Sequence, residues 1–570
     1  MHHRWRLFTI TIAFGLVLAA CGPGQSAEPS EGDTSEAPAP SESAMAFEPT
    51  AYPEDGPAEC GTDTNPTFFS QISAIDAYTV EFTLCRPDVA FLSKVAFTPF
   101  AINDADWLTE HVADGSIVSS PNGTGPYMIA EGGWARGDSI NFDANPDYWG
   151  DPAIAQTLVF RWSAESAQRL VELQAGSVDG IDNPGVTEFE TIQNDDALEL
   201  YEREGLNVFY IGFNNTAAPF DNETVRQAIA MGIDRQRLID TFYPPGSEVA
   251  THFTPCAIPF GCEGDEWYEY DPEAAAEMLE PFLPITTQIH LRDVVRGYLP
   301  QPPIVAQDIA DQLADLGITA TVDVQESGTF IANADAGALP GLHLLGWGAD
   351  YPDATNFLDF HFGSGASDQF GDKFPDITEP LQTGATNTDE ETRRAAYEEA
   401  NNAVREHVPM IPVAHAGSGT AFQADVSGAH ASPLSNEYFA TMDPGGRDTI
   451  VWMQNAEPIG IYCADETDGE SLRACEQVME PLYGFEIGGT DPIPLLAEDC
   501  ASNEDLSVWT CTLRQGVTFH NGATFDANDV VASYAVQWDA EHPLHAGNTS
   551  AFTYFSALWS GFLNPPPAEE

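Results

Sequence analysis

The stretch NVFYIGFNNTAAPFDNETVRQAIAMGID, residues 207–234, joins a strand pattern to a helix pattern. Its first seven residues are mostly apolar, with β-branched and aromatic side chains, as in a buried strand. Asp221 or Asn222 can then cap a helix. The apolar residues of that helix share one face: Val225, Ala228, Ile229 and Ile233. A buried strand that leads into an amphipathic helix predicts an α/β fold.

Two further helices and a strand are predicted downstream. Asp271 followed by Pro272 is a typical helix start, and this helix runs to Leu279. The next helix ends at Gly317, which can adopt the left-handed conformation common after a helix. Residues 318–322 then alternate apolar and polar side chains like a strand. The apolar stripe of the second helix contains Val305, Ile309, Leu313 and Leu316.

Length and charge limit the class of protein. With 570 residues the chain is too long for one ordinary core, so two or more lobes are expected. The chain has 20 basic and 89 acidic residues and a net charge of −69, which excludes nucleic acid as a partner because such a surface repels phosphate. The self-repulsion is relieved by salt, so the composition fits a saline habitat; acidic solubilisation is the alternative.

The amino terminus predicts export and anchoring. A short basic stretch precedes the apolar run 7–18, which has the shape of a secretory signal. Leu18-Ala19-Ala20-Cys21 is similar to a bacterial lipobox, so we expect removal of a signal peptide, residues 1–20, and a lipid on Cys21. Residues 21–46 are rich in small and polar residues and are predicted to be a flexible tether. An ordinary signal peptide beside a chance cysteine is the alternative.

The other eight cysteines indicate disulfides, because their number is even and the chain is expected to be exported. No couple has CxxC spacing and no histidine cluster accompanies them, so no metal site is expected. Sequence alone leaves the connectivity open. We predict sequence-local pairs: Cys60 with Cys85, Cys256 with Cys262, Cys463 with Cys475, and Cys500 with Cys511.

Catalytic motifs are missing from the sequence. It contains no HExxH, GxxxxGK[ST] or GxSxG string, and no GxGxxG string after a strand pattern. His415 ends the apolar stretch 408–415 and is interpreted as a core or cleft residue rather than a catalytic base. We therefore predict that the chain is not an enzyme and uses no cofactor.

Five strings together resemble the family 5 extracellular solute-binding proteins, the peptide- and nickel-type receptors of ABC importers. The longest lies within residues 213–234, quoted above. The others are NGTGPY at 122–127, NPDYWG at 145–150, LQAGSVD at 173–179 and LRQGVTFHNG at 513–522. They extend over nearly the whole chain beyond the tether.

The order of these strings departs from that of the family. There, the segment resembling residues 449–564 opens the mature protein, and the LRxGVxFHxG string precedes GTGPY. Here GTGPY comes first. We interpret the chain as a circular permutation, which domains tolerate because their termini usually lie at the surface. A fused fragment with an incomplete second copy is the alternative.

The resemblance implies two hinged α/β lobes of the type II periplasmic-binding-protein-like fold, with an extra subdomain in the larger lobe. By the family pattern, one lobe takes residues 47–212 and 416–570, and the other takes 213–415. The chain would cross between lobes near 211–213 and 413–415. The strand near Thr449 would join the same lobe as the strand near Asn207.

The resemblance also implies where ligand is bound. In GWGADY, residues 346–351, Asp350 matches the family aspartate that holds the α-ammonium of peptides, although it could merely cap a turn. Arg296 in RGYLP matches a carboxylate-binding arginine, and Arg292 could serve instead. Trp347 could equally be a stacking wall or core, and for an aromatic cluster such as 552–555, which faces the ligand in relatives, core packing is the more frequent outcome. The full set of expected ligand contacts is Asp350, Trp347, Ala349, Tyr351, Arg296, Tyr298, Phe552, Tyr554 and His415.

The resemblance, together with the lipobox-like string at the amino terminus, thus predicts a monomeric, lipid-anchored receptor on the outer face of the cell membrane. It would capture short peptides and deliver them to the permease of an ABC transporter. One alternative keeps the fold but binds an oligosaccharide, an opine-like compound or a metal chelate. Another, of a different class, is a secreted hydrolase or adhesin.

Overall fold

A computed structural model of the chain describes residues 47–292, 294 and 296–565. The signal peptide, Cys21 and the tether predicted for residues 1–46 lie outside the described residues. Within the described part, no helix combines the length and the apolar character needed to cross a bilayer.

Strands and helices alternate along the chain. The strands are β1 Ala51–Tyr52, β2 Phe69–Asp76, β3 Thr79–Leu84, β4 Tyr127–Ala135, β5 Ser139–Ala144, β6 Thr157–Trp162, β7 Gly180–Asp182, β8 Leu198–Arg203, β9 Asn207–Phe213, β10 Glu248–Val249, β11 Ile285–Arg292, β12 Ile318–Gln325, β13 Leu342–Gly348, β14 Met410–His415, β15 Ser418–Gln423, β16 Thr449–Gln454, β17 Tyr483–Phe485, β18 Pro492–Pro494, β19 Ala497–Ser502 and β20 Val508–Leu513. The helices are α1 Phe91–Val95, α2 Ala105–His111, α3 Ser166–Gln174, α4 Phe189–Gln193, α5 Glu223–Gly232, α6 Arg235–Phe242, α7 Pro272–Leu279, α8 Pro302–Asp315, α9 Ser327–Asp335, α10 Phe360–Phe362, α11 Pro375–Ala385, α12 Glu390–His407, α13 Gly469–Glu476, α14 Ala527–Trp538 and α15 Thr553–Trp559.

Most of the local predictions from sequence are confirmed; Asn222 stands at the N-cap of α5, but its side chain makes no capping hydrogen bond. β9 and α5 lie where the opening stretch places them, and α5 buries Val225, Ala228 and Ile229. The side chain of Asp271 caps α7 by accepting a bond from the Ala274 amide. The helix before Gly317 and the strand after it are α8 and β12.

Three larger sheets and one strand pair organise these elements. A six-stranded sheet has the order β10-β14-β9-β13-β11-β12, and a seven-stranded sheet has the order β4-β5-β6-β16-β7-β15-β8. A five-stranded sheet, β1-β2-β3-β20-β19, forms separately, and β17 pairs with β18. The mixed sheets with their helices confirm the predicted α/β class.

The buried apolar side chains form separate hydrophobic clusters, and one of these clusters surrounds the six-stranded sheet. Buried side chains from Leu206 to Ala416 form one hydrophobic cluster, and we call residues 206–416 lobe II. The described residues before and after them are called lobe I; the seven-stranded sheet has its own cluster there.

The predicted lobe crossings are displaced. β9 pairs antiparallel with β13 on one side and β14 on the other, so it lies wholly in lobe II. The chain therefore crosses between β8 and β9, at 204–206, and the prediction of 211–213 is wrong. The return crossing lies at 416–417, just beyond the predicted 413–415. A continuous apolar run is the mark of a central strand rather than a hinge.

The carboxyl-terminal segment completes the sheets of lobe I. β16 lies between β6 and β7 and runs parallel to both. β20 pairs with β3, so residues from both ends of the chain build the five-stranded sheet. The strand near Thr449 was expected to join the same lobe as the strand near Asn207; instead β16 lies in the seven-stranded sheet of lobe I and β9 in the six-stranded sheet of lobe II.

The predicted disulfides are confirmed. All four sequence-local couples are bonded: Cys60–Cys85, Cys256–Cys262, Cys463–Cys475 and Cys500–Cys511. Two of them fix neighbouring elements, since Cys500 and Cys511 are directly opposite on β19 and β20. Cys463–Cys475 ties α13 to the turn before it.

Candidate functional site

A small cavity, open to solvent, lies between the lobes. Lobe II contributes Ala349 and Asp350, which follow β13. The opposite wall comes from lobe I and includes α13. The lobe I residues of the wall are Phe97, Thr98, Leu434, Ser435, Asn436, Gly469, Leu472, Arg473 and Phe485. A mixed apolar and polar cavity between two lobes is the common form of a small-ligand site.

The end of β13 places Asp350 in this cavity. β13 is buried, and at Gly346 an added Cβ would lie 2.4 Å from the Tyr298 ring, so the close packing there requires glycine. After the strand, the Ala349 amide donates to the Leu206 carbonyl at 2.8 Å. The chain thus turns at the lobe crossing and presents the next side chain, Asp350, to the cavity.

No basic side chain among the described residues compensates the negative charge of Asp350. Its carboxylate Oδ2 accepts a hydrogen bond from the Asn356 amide at 2.9 Å. Among the described residues it forms no ion pair with a basic side chain. Burial raises the pKa of Asp350 to about 7, an effect that the Asn356 bond opposes. The carboxylate is therefore suited to a cationic partner that the protein itself does not supply.

Trp347 and Tyr351 flank this acid in different surroundings. Trp347 is half-buried and stacks on Phe360, with ring centroids 4.2 Å apart. Tyr351 is buried and its hydroxyl lies 3.2 Å from that of Thr355. Lys94 of lobe I approaches the Tyr351 ring at 5.7 Å, which places Tyr351 at the junction of the lobes rather than in the cavity wall.

The aromatic cluster 552–555 is divided by the start of α15. Tyr554 meets Phe97 of the cavity wall edge to face, with centroids 4.7 Å apart. Burial and then the negative charge of Asp350 raise the pKa of Tyr554. Phe552, in contrast, is fully buried against Tyr462 and does not reach the cavity. Phe552 precedes the helix and is buried in the core, and its contact with ligand stays a prediction.

The RGYLP segment lies away from the cavity wall. Arg296 is exposed and its backbone bridges to Leu299. The Tyr298 hydroxyl accepts a bond from Arg292 at 3.3 Å, and its carbonyl accepts one from the Tyr243 hydroxyl at 2.9 Å. The ring of Tyr298 packs under β13 rather than against a ligand. The predicted contacts of Arg296 and Tyr298 with ligand are therefore not matched by the wall of this cavity.

His415 is a structural residue of the crossing. It is buried at the end of β14, and its Nδ1 lies 2.7 Å from the Asn207 carbonyl. Burial lowers the pKa of His415 to about 4, so the ring is neutral. The Asn207 side chain also pairs with the amide and carbonyl of Ala416 at 2.9 and 2.8 Å, which ties the two crossings together. Its burial agrees with the interpretation as a core or cleft residue, and its contact with ligand stays a prediction.

Sequence reasoning missed the lobe I wall. Thr98 and Asn436 both donate to Oε1 of Glu476, at 2.6 and 2.8 Å, and burial raises the pKa of this acid to about 7. The wall residues come from segments far apart in the chain. Asp468 at the start of α13 marks a helix cap, but no signal in the sequence marks the face that meets the cavity.

Arg473 of the wall has its charge neutralised behind the cavity. It donates to Glu437 at 2.7 Å and to Asp182 at 3.1 Å. Arg203 donates to the same two carboxylates, at 2.6 and 2.9 Å, which closes a buried ring of four charges. Although burial disfavours its charge, the two arginines hold the pKa of Glu437 well below its usual range. The ring fixes α13 without adding a free positive charge to the cavity.

Comparison with known proteins defines the class. Residues 36–369 and 491–560 match the sequence profile of the bacterial extracellular solute-binding proteins, family 5 Middle. The match covers more than half of the chain, and the protein belongs to this family. The proteins of the family are binding proteins of transport systems outside the cytoplasm, and not enzymes, so the predictions of class and of a non-catalytic role are confirmed.

Individual relatives agree with this class. Di/tripeptide-binding protein 1 of Pseudomonas aeruginosa (strain UCBPP-PA14) is 29% identical over 412 residues, covering 69% of this chain and 75% of its own. Heme-binding protein A of Haemophilus influenzae is 28% identical over 391 residues, 67% of this chain and 71% of its own. The structure of HbpA2 from Haemophilus parasuis superposes with a TM-score of 0.59 at 28% identity, over 65% and 74% of the two chains.

Proposed function

We propose that this protein binds short peptides in the cavity between its lobes, through the free amino terminus of the peptide, and delivers them to an ABC transporter permease. The observation that carries the proposal is Asp350, an acid in the cavity wall with a neutral amide as its side-chain partner. An ammonium group from the ligand would supply the missing positive charge. Relatives named as di/tripeptide- and dipeptide-binding proteins support the same ligand class.

Closure of the lobes would report the ligand to the permease. We propose that lobe I and lobe II move as two bodies. The motion would take place about the two crossings between the lobes, at 204–206 and 416–417. Asn207 bonds both crossings and keeps them adjacent. A ligand that contacts both walls binds the closed form more tightly and shifts the population toward it. No bond chemistry is involved.

A metal chelate is the second candidate ligand. It is favoured by the 28% identity with heme-binding protein A of Haemophilus influenzae. A bound porphyrin would give the purified protein a strong visible absorption band, whereas a peptide would not.

Calorimetric titration of the full protein with trialanine and with N-acetyl-trialanine tests the peptide proposal. Acetylation removes the ammonium and leaves the rest of the ligand unchanged. We expect the free peptide to bind at pH 7.5 and the acetylated one to bind more than tenfold more weakly, since the Asp350 carboxylate is then left without a partner. Equal affinity for the two peptides would contradict the proposal.

We further propose that Cys21 carries the membrane anchor. The support is the lipobox-like LAAC string at 18–21 and the coil-like composition of 22–46. Intact-mass analysis of protein from a native host should give a chain that begins at a lipid-modified Cys21 and has no free thiols. An unmodified Cys21 would contradict the proposal.

A circular permutation is proposed for the order of the chain. The profile match in two separate blocks and the alignments that cover about two thirds of the chain support it. So does the position of the ends. Asn528, near the start of α14, donates to the Glu48 carbonyl at 3.1 Å, and Asn564 donates to Asp539, at the end of α14, at 3.0 Å. A 12-residue helix is about 18 Å long, so about six residues could join these ends.

A further inference from the structure

Asn356 lies directly behind Asp350, which lines the cavity, and Trp347, which flanks that acid. It is 1% exposed and belongs to a π-helical turn, Thr355–Asp359. Its side-chain oxygen accepts hydrogen bonds from the Asp350 amide at 3.0 Å and from the Trp347 indole at 3.2 Å. Its side-chain nitrogen donates to Asp350 Oδ2 at 2.9 Å. One buried amide thus makes three hydrogen bonds, two to Asp350 and one to Trp347.

These bonds require the chemistry of an amide. Two N–H groups point at the oxygen, which fixes which end of the amide is the acceptor. An aspartate at 356 could accept both bonds but would place a second negative charge against Asp350. An apolar side chain could make none of the three. A lysine or arginine would orient Asp350 but would also neutralise it.

We propose that Asn356 is a positioning residue for ligand recognition, which holds the Asp350 carboxylate and the Trp347 ring in place while leaving the negative charge of Asp350 free for the ligand. Oδ2 of Asp350 is occupied by Asn356. Within the described residues Oδ1 accepts no hydrogen bond, yet it is not among the buried unpartnered atoms, so it remains accessible. This inference rests on the proposed function, because it assumes that an ammonium group meets Oδ1.

A pH profile separates positioning from a merely structural role. Donation from Asn356 favours the ionised form of Asp350, against the effect of burial. The other titratable groups near this region are the Tyr554 hydroxyl on α15, Asp468, and Arg473 across the cavity, which is paired in the buried ring. Glu476 lies behind the lobe I wall, bonded to Thr98 and Asn436, and its pKa is also raised to about 7, so the comparison of variants with the wild type carries the test. Without the amide, the pKa of Asp350 would be higher, so the acid would stay protonated up to a higher pH. Over that added pH range it would not bind an ammonium ligand.

The test measures trialanine binding from pH 5 to pH 8 for wild type and Asn356→Leu. In wild type, affinity should fall as pH drops through about 7, the pKa of Asp350. In Asn356→Leu this midpoint should move up by about one to two pH units, since a hydrogen bond to an ionised group is a strong one. Affinity at pH 7 should fall by about tenfold or more. Asn356→Asp, which keeps both acceptor bonds, should also move the midpoint upward.

Asn401→Leu is the matched control. Asn401 is likewise buried in lobe II, but it bonds the carbonyls of Gly261 and Glu263, away from the cavity. Its loss should lower the melting temperature and leave the midpoint unchanged. An unchanged midpoint in Asn356→Leu, with wild type binding normally, would overturn this inference alone. Wild-type binding that survives N-acetylation of the peptide would overturn the proposed function and, with it, this inference.

Discussion

Asp350→Asn should weaken the binding of a short free peptide by about 2–5 kcal/mol, which is more than tenfold in affinity. The substitution keeps the shape of the side chain and its place in the cavity wall. It removes the negative charge, so the peptide ammonium would be transferred from water to a cavity that no longer compensates it. Calorimetric titration with trialanine at pH 7.5 measures the loss.

The matched control for this substitution is Asp138→Asn. Asp138 is exposed in the turn between β4 and β5, in lobe I, and does not line the cavity. Its substitution also removes one negative charge from the chain but should leave peptide affinity within twofold. If Asp350→Asn binds as tightly as the control, the ammonium clamp is wrong and a ligand without an amino group becomes the better candidate.

Deleting everything after Gly446 should prevent folding. The deletion removes β16 from the middle of the seven-stranded sheet and β20 from its place beside β3. The strands β6, β7 and β3 would then expose unpaired edges, and the core of lobe I would lose buried side chains such as Trp452. Circular dichroism and thermal melting should give no cooperative transition for lobe I.

A reordered chain gives the sharper test of the permutation. In this variant residues 447–565 precede residues 48–446, with a linker of about six residues across the ends of α14. It should fold, form the same four disulfides and bind trialanine like wild type. The control is the same linker inserted in the exposed turn at 137–138 of the natural order. The opposite result is a truncated protein that folds and binds trialanine together with a reordered protein that does neither. That result would contradict the permutation and favour the interpretation of the carboxyl-terminal segment as a fused fragment.

Much of the fold could be predicted because its signals are local. The apolar run of β9, the cap at Asp271 and the glycine after α8 each act within a few residues of where they stand in the sequence. The disulfides also joined cysteines close in sequence. The lobe crossing was misplaced because it depends on which neighbours β9 pairs with, and pairing between distant strands leaves no mark on the strand itself.

The cavity wall was predictable only in part, for the same physical reason. Asp350 was expected at the cavity because its surrounding string resembles the family, and it does lie in the cavity wall; its contact with ligand stays a prediction. Phe97, Asn436 and Leu472 reach that wall from three separate segments, so no periodicity or spacing connects them. Neutralisation of Arg473 by the buried ring, likewise, depends on residues up to 291 positions apart in the chain.

Mass spectrometry of small molecules released from the purified, denatured protein tests the central claim most directly. Protein should be isolated from its native host without prior unfolding, and Asp350→Asn protein prepared in parallel should serve as the reference. The account predicts short peptides with free amino termini from the wild-type protein and a marked loss of them from the variant. Release of a sugar, an opine-like compound or a metal chelate in stoichiometric amount, with no peptide, would contradict it.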